Sequence, residues 1–403
     1  MKKFLALVLT VILSVACVVS VSACSDNSEK LVALITLHGS ASTYDKNFID
    51  AFKQACKNKG LTKGQYTIVS DIPEDEKCYT TAANLADKGY KAIFADSFSH
   101  EDYLIKAAKE YTDVQFYHAT GTKAHTENLD NFHNAFASIY EGRYLAGYAA
   151  GLLLNTMKDK AVNNNFKVGY IGAFTYAEVI SGYTSWFLGL REALDEGYTA
   201  TMDVTFTGSW YNEAGEKTAA KTLIDNDCVL ISQHADSMGA PTACDNNNIP
   251  NVAYNGSTGK NTMVAYSKIN WVPYFEMMID QAKGAEGAEA VPADWTGTIG
   301  TDSVQYALGN KIAEGTAAKL ETVKNELVAG TRKVFDCSKF TVNGEHITSY
   351  LADVDTDPDY VHDTEAIRTE GGVTYFAESE LRSAPYFDIT IDGINLLNTN
   401  FGD

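Results

Sequence analysis

Residues 208–240 read GSWYNEAGEKTAAKTLIDNDCVLISQHADSMGA, and their reading decides the fold. They contain a tight turn carrying Trp210 and Tyr211, a helix-like run over 213–225, a short apolar strand over 229–231 and a polar cluster of Gln233, His234, Asp236 and Ser237. Helix, strand and polar loop in succession make the unit of an open parallel sheet, whose post-strand loops gather ligand groups at one crevice. Trp210 after one strand and 233–237 after the next therefore face one space, suited to a flat, polar small molecule. The same residues also fit a plainer role, a half-exposed tryptophan and a helix N-cap at Asp236 or Ser237.

The alternation extends to both sides. Residues 31–37 form a continuous apolar run, as in a strand buried on both faces. Phe48, Ala51, Phe52 and Ala55 follow at helical spacing over 45–59, and Gly60 stops that helix. Strand 66–70 with helix 75–88, strand 92–95 with helix 100–110, and strand 114–118 continue the first series. A second runs through helix 140–157, strand 167–171, helix 179–196, strand 202–206, helix 213–225, strand 229–231, helix 237–246 and strand 251–254. Two α/β lobes with parallel sheets follow. Strand 262–266, helix 270–283 and strand 298–301 read as crossings between them, so the lobes share a multi-strand hinge. The expected division is 31–136 with about 256–290 in the N-terminal lobe, and 137–255 with about 291–340 in the C-terminal lobe. Residues 341–403 are an extension that the pattern does not place, beyond a small hairpin about Asn343-Gly344 and an acidic loop over 353–362.

Lys2 and Lys3, the apolar run 4–21 and Val21-Ser22-Ala23-Cys24 describe a secretory leader over 1–23, and the cysteine after Ala23 resembles a bacterial lipobox. Cys24 would carry the lipid and 24–30 would be a polar tether, so the chain is expected outside the cytoplasm, anchored to the cell membrane. A transmembrane helix is the competing reading of that run. The formal net charge of −20 argues against nucleic acid or an anionic membrane surface as a partner. Beyond the leader stand Cys56, Cys78, Cys228, Cys244 and Cys337, with no CxxC pair; Cys56 with Cys78 and Cys228 with Cys244 are the candidate disulfides.

No nucleophile elbow, Walker loop, dinucleotide turn or H-E-x-x-H helix occurs, so catalysis lacks its usual cues, and neither cofactor nor metal is expected. His38, His118 and His234 each end a strand, but scattered histidines serve more often as hydrogen-bonding residues than as metal ligands. Tyr44, Phe98, Trp210 and Tyr211 stand at strand ends, where rings stack on planar heterocycles and Asn or Gln read their edges. Glu178 sits where it would face a helix dipole.

His118-Ala119-Thr120-Gly121, Tyr140-Glu141-Gly142-Arg143-Tyr144-Leu145-Ala146-Gly147, Gly169-Tyr170-Ile171-Gly172, Glu178-Val179 with Gly182, the 209–237 motifs and Asn270-Trp271-Val272-Pro273-Tyr274-Phe275 together resemble the basic membrane protein family of ABC-transporter substrate-binding lipoproteins. The resemblance covers about residues 31–340. It implies a type I periplasmic-binding-protein fold, two Rossmann-like lobes closing on a purine nucleoside or base, and delivery by a monomer to a membrane permease. By resemblance Trp210 is the stacking aromatic and Lys268 the family's lysine. Leu37 stands where the nucleoside branch has an aspartate, Ile49 where it has an asparagine, and Asn255 where it has a ribose-binding aspartate. The 118–121, 140–144 and 233–237 motifs resemble instead a branch linked to free bases such as adenine. The expected site is Trp210 with Tyr44 or Phe98 opposite, and Asp236, Gln233, Asn255 or Glu178 on the ring edge. A sensor lipoprotein without a transporter, or a nucleoside-cleaving enzyme using Glu178 and Asp236, are the alternatives.

The lipobox gives a direct test: Cys24→Ser should move the protein from the membrane fraction to the soluble extracytoplasmic fraction and abolish labelling by radioactive palmitate.

Overall fold

The computed structural model describes residues 28–354, 361–399 and 401, so the leader, Cys24 and most of the acidic loop lie outside the described residues. The N-terminal series comprises β1 (Val32–Ile35), α1 (Thr43–Asn58), β2 (Tyr66–Val69), α2 (Glu76–Asp87), β3 (Ala92–Ala95), α3 (Glu101–Glu110), β4 (Gln115–Ala119), the single turn α4 (Ala124–Glu127) and β5 (Phe132–Ala137). The chain then crosses to α5 (Ile139–Leu154), β6 (Asn165–Gly172), α6 (Ala177–Glu192), β7 (Thr199–Phe206), α7 (Glu213–Asp225), β8 (Ile231–Gln233), α8 (Gly239–Asn246), β9 (Asn251–Tyr254) and β10 (Met263–Ile269). It returns through α9 (Val272–Lys283) and β11 (Asp294–Gly297), then crosses again to β12 (Val304–Leu308) and α10 (Thr316–Val328). The extension adds β13 (Leu351–Ala352), β14 (Thr364–Glu365), β15 (Ile367–Glu370), β16 (Val373–Phe376) and β17 (Ile394–Leu396).

Two large sheets result among the described residues, six strands in the order β11-β5-β4-β3-β1-β2 and seven in the order β12-β10-β9-β8-β6-β7-β17, beside the antiparallel pairs β13-β14 and β15-β16. All pairs in the large sheets are parallel except β10 with β12. This is the doubly wound two-lobe α/β architecture anticipated. The lobe division needs correction: strand 263–269, expected in the first lobe, pairs with β9 in the second sheet, and β11, expected in the second, pairs with β5 in the first. Residues 298–301, expected as a strand, form the turn between β11 and β12. The hinge therefore has three crossings, at Ser138, at Asn270 and over 298–303. They hold one another: Ser138 N donates to Gly297 O (2.7 Å), Asn270 N to Ser303 O (2.8 Å), and Ile299 N to Glu141 Oε2 (2.8 Å).

Local sequence accounts for the main elements. Ser42 caps α1 by accepting from Asp45 N (3.2 Å), and the helix lays Phe48, Phe52 and Ala55 on the first sheet, where Phe48 stacks on buried Trp271 at 4.5 Å. Within the second lobe α5 and α6 pack backbone to backbone. A Cβ at Gly147 would stand 1.9 Å from Trp186 O, and one at Gly189 2.1 Å from Tyr144 O. Cys56, Cys78, Cys228, Cys244 and Cys337 are buried free thiols, so neither candidate disulfide forms; burial pushes the Cys56 and Cys244 thiols up to about 12, which makes them inert.

The glycine contact is testable by Gly147→Ala, which should destabilise the protein by about 1–3 kcal/mol in urea unfolding through overpacking. Ala146→Gly, on the same helix, should cost about 2 kcal/mol by a different route, helix propensity together with a lost buried methyl.

Candidate functional site

The carboxyl ends of both sheets meet at the cleft, and the loops there line one narrow pocket. The first lobe contributes Leu37 and Asp45 after β1, Tyr44 from the first turn of α1, Ser97 and Phe98 after β3, and Thr120 after β4. The second contributes Glu178 from the first turn of α6, Trp210 after β7, His234 and Asp236 after β8, and Tyr254 at the end of β9. The lobes touch around it. Thr43 N and Oγ1 donate to Asp236 O (3.0 and 3.1 Å), Phe98 stacks on Tyr176 at 4.9 Å, and His38 meets Tyr211 at 5.5 Å.

Beneath the second-lobe wall lies Arg143 of α5, fully buried. Its Nη1 donates to Gln233 O (3.1 Å), its Nη2 to His234 Nδ1 (3.0 Å), and its guanidinium lies 3.5 Å from the centre of the Tyr254 ring. A guanidinium carries only donors, so His234 Nδ1 is an acceptor and the ring proton sits on Nε2, which donates to Glu178 Oε1 (2.9 Å). Burial, only partly offset by Glu178, holds the His234 imidazole below its usual pKa, hence neutral. Burial alone raises Glu178, but His234 and Arg143 outweigh it and keep the carboxyl ionised. Gly182, one turn into α6, makes room: a Cβ there would stand 3.0 Å from His234 Nδ1.

The other acids of the cleft behave in the opposite way. Asp45 Oδ1 accepts from His38 N (2.7 Å), and Asp96 Oδ1 from Leu37 N (3.1 Å). Asp96 Oδ2 is buried and finds no donor among the described residues, while the Asp45 carboxyl stands against it. Desolvation raises both pKa values, and their mutual repulsion raises Asp96 further, so a proton is shared between them. Asp236 is also raised well above the ordinary range, by burial and then by the nearby carboxyls Asp45, Glu216 and Glu178. It is a neutral acid with one O–H donor and a carbonyl acceptor. Its contact with Asn255 Nδ2 is 3.4 Å, and its backbone N donates to Trp210 O (2.9 Å), tying the Trp210 turn to the 233–237 loop.

Of the residues expected from sequence, Trp210, Tyr44, Phe98, Glu178 and Asp236 line this cavity. Gln233, Asn255 and Lys268 do not. The strand expected over 229–231 runs Ile231–Gln233, so Gln233 belongs to the sheet and its Oε1 accepts from Asn251 Nδ2 (2.8 Å). Asn255, at φ +61°, and Lys268 line a separate open groove beside α1. His118 is sealed under the cleft on Ser97 O (2.7 Å), its pKa pushed down to about 4 by burial, and no metal-binding group of His, Cys, Asp and Glu exists among the described residues. The sequence reading did not single out Asp45, Asp96, Tyr176 or Tyr254 for the site. Tyr254 had a usable signal in its place at the end of β9, and Asp45 in its place in the first turn of α1; nothing local marks Tyr176.

The shared proton sets a pH dependence. For a carboxyl raised in the folded state, the stabilisation is complete below the usual carboxylate pKa of about 4 and is lost as pH climbs through the raised value. Asp96→Asn mimics the protonated acid, so the variant should keep the fold and lose less thermal stability than the parent when melting is followed from acidic to alkaline pH.

Residues 33–290 match the model of the Bmp family, described as ABC transporter substrate-binding protein PnrA-like. A purine-binding protein of Brucella abortus is 29% identical over 298 residues, spanning 70% of this chain and 78% of that one. A protein of Haloferax volcanii provisionally named as an ABC transporter glucose-binding protein is 28% identical over 241 residues, 58% of this chain and 57% of that one. Among solved structures, an ABC transporter solute-binding protein of Aeropyrum pernix superposes with a TM-score of 0.60 at 12% identity, over 79% of this chain and 94% of that one. With the two-lobe fold and a cavity walled by both lobes, the chain belongs to the Bmp family of PnrA-like ABC transporter substrate-binding proteins.

Proposed function

We propose that this protein captures a purine, the free base rather than a nucleoside, in the interlobe cleft and delivers it to an ABC permease in the membrane, itself held there by a lipid on Cys24. The observation that carries this reading is the convergence of aromatic rings and buried acids, among them the raised Asp236, on one small pocket. Trp210, Tyr44, Phe98 and Tyr254 give rings against which a flat heterocycle is desolvated and stacked. The neutral Asp236 carboxyl presents a donor beside an acceptor, complementary to a ring nitrogen next to an exocyclic amine. The ionised Glu178 accepts from amine or ring N–H groups.

Ribose asks for something different, carboxylates and carboxamides free to accept from its hydroxyls. Leu37 lines the cavity where such a carboxylate would be useful, Asp45 is committed to His38 N and to the proton shared with Asp96, and Asn255 is turned to Asp236. The purine-binding name of the Brucella relative supports the same ligand class.

Isothermal titration of the unlipidated protein with adenine, guanine, hypoxanthine, adenosine and glucose tests it. Saturable binding of a base, with adenosine much weaker, is expected; no heat with any base contradicts the proposal. Trp210→Ala should weaken binding by about 1–3 kcal/mol. Asp236→Asn, isosteric with the neutral acid, should keep affinity at neutral pH and resist the loss of affinity that the parent shows as alkaline pH ionises Asp236.

A further inference from the structure

The family match ends at residue 290, yet the last described residues of the chain reach the loops behind the second-lobe wall of the cleft. β17 adds to the free edge of β7, in parallel register from Ile394 opposite Met202 to Leu396 opposite Val204. Asn398 then continues the ladder with its side chain: Oδ1 accepts from Phe206 N (2.7 Å) and Thr205 Oγ1 (3.3 Å), and Nδ2 donates to Phe206 O (2.9 Å). A carboxamide has the donor and acceptor of a peptide unit, so it closes the end of β7 immediately before the turn that carries Trp210. Phe401 closes the neighbouring loop. Its carbonyl accepts from Thr175 N (2.8 Å) and Thr175 Oγ1 (2.6 Å), and Thr175 lies between Phe174 and Tyr176. The Phe401 ring covers Gly208, where φ is +69° and a Cβ would come within 2.8 Å of the ring.

These two loops build the aromatic wall. Phe174 stacks on Tyr176 at 5.2 Å and meets Trp210 edge-on at 5.0 Å, and Tyr176 stacks across the cleft on Phe98. Gly208 N donates to Ala173 O (2.8 Å), so the loops are also bonded to each other. We infer that Asn398 and Phe401 are positioning residues of the ligand site: the carboxyl-terminal strap fixes the 173–176 and 207–210 loops so that Trp210 and Tyr176 are pre-set as the second-lobe wall. Fixing the wall before binding removes an ordering cost that ligand binding would otherwise carry. The effect on ligand affinity rests on the purine reading above; the fixing of the loops does not.

The test compares the unaltered chain with a form ending at Leu397, with Phe401→Ala, with Phe401→Tyr, and with Asn395→Ala. Asn395 lies on the same strand, and its side chain bonds Asp203 Oδ1 (3.1 Å), away from the loops, so it controls for weakening of β17 alone. Amide hydrogen exchange at Thr175 and Gly208 should accelerate in the shortened form and in Phe401→Ala, stay near the unaltered rate in Phe401→Tyr and Asn395→Ala, and do so with strands β6 and β8 still protected in all. Adenine affinity should fall by about tenfold in the first two and stay within about twofold in the last two. Unchanged exchange at Thr175 and Gly208 overturns the inference, as does equal acceleration in Asn395→Ala. If the unaltered chain binds no purine, the proposed ligand is wrong while the exchange data still decide whether the strap fixes the loops.

Discussion

A buried guanidinium under the cleft is the constraint on which the second-lobe wall depends. Arg143 has no carboxylate in direct contact among the described hydrogen bonds, and a cation so placed needs fixed groups around its charge. Here Nη1 and Nη2 meet a backbone carbonyl and a neutral imidazole, the charge faces the Tyr254 ring and, through His234, the ionised Glu178, and the buried Nε alone lacks a partner among the described residues. Each partner comes from a different element: β8 and its loop, β9 and α6. The guanidinium thereby fixes the ends of β8 and β9 and the start of α6 at once, and these carry Glu178, His234 and Tyr254 into the cavity.

Water exclusion does the complementary work on the other acids. In the cleft Asp45, Asp96 and Asp236 are buried without a cation beside them, and desolvation raises all three, so that Asp45 and Asp96 share a proton and Asp236 is held towards its neutral form. The ionised Glu178, supported by Arg143 and His234, therefore faces acids that hold their protons more tightly. Such a lining suits the edges of an uncharged heterocycle, and among the described residues no Lys or Arg lines it to neutralise a phosphate. The aromatic rings provide the apolar faces between those edges, and the strap formed by Asn398 and Phe401 supports the rings from outside.

Much of the fold was legible in the chain. Continuous apolar runs such as 31–37 and helical spacing such as Phe48, Ala51, Phe52 and Ala55 mark the parallel α/β pattern because strands buried on both faces and helices buried on one must have them. β5 escaped because its FHNAFA sequence carries His133 and Asn134 inside, where the imidazole bonds Pro292 O and Gln115 Oε1 and the carboxamide bonds Glu101 and Ala124 N. Those partners are distant in sequence, so nothing local announces a strand. The swap of β10 and β11 between lobes has the same origin: which sheet a crossing strand joins is set by edge pairing, not by its own residues. At the cavity, Trp210, Tyr44, Phe98 and Asp236, expected in loops after strands, and Glu178, expected at a helix start, line one wall or the other, while a two-residue shift in β8 was enough to misplace Gln233. The motifs Tyr140–Tyr144, Glu178 with Gly182, and Gln233-His234 have a common physical meaning, since they are the parts of the Arg143 arrangement.

The most direct measurement of the central claim is a crystal structure of the unlipidated protein grown with adenine. The account predicts one base in the interlobe cavity, its plane against Trp210 and a first-lobe ring, its edge within hydrogen-bond distance of Asp236. A base bound elsewhere, or an interlobe cavity without purine at saturating concentration, would contradict it.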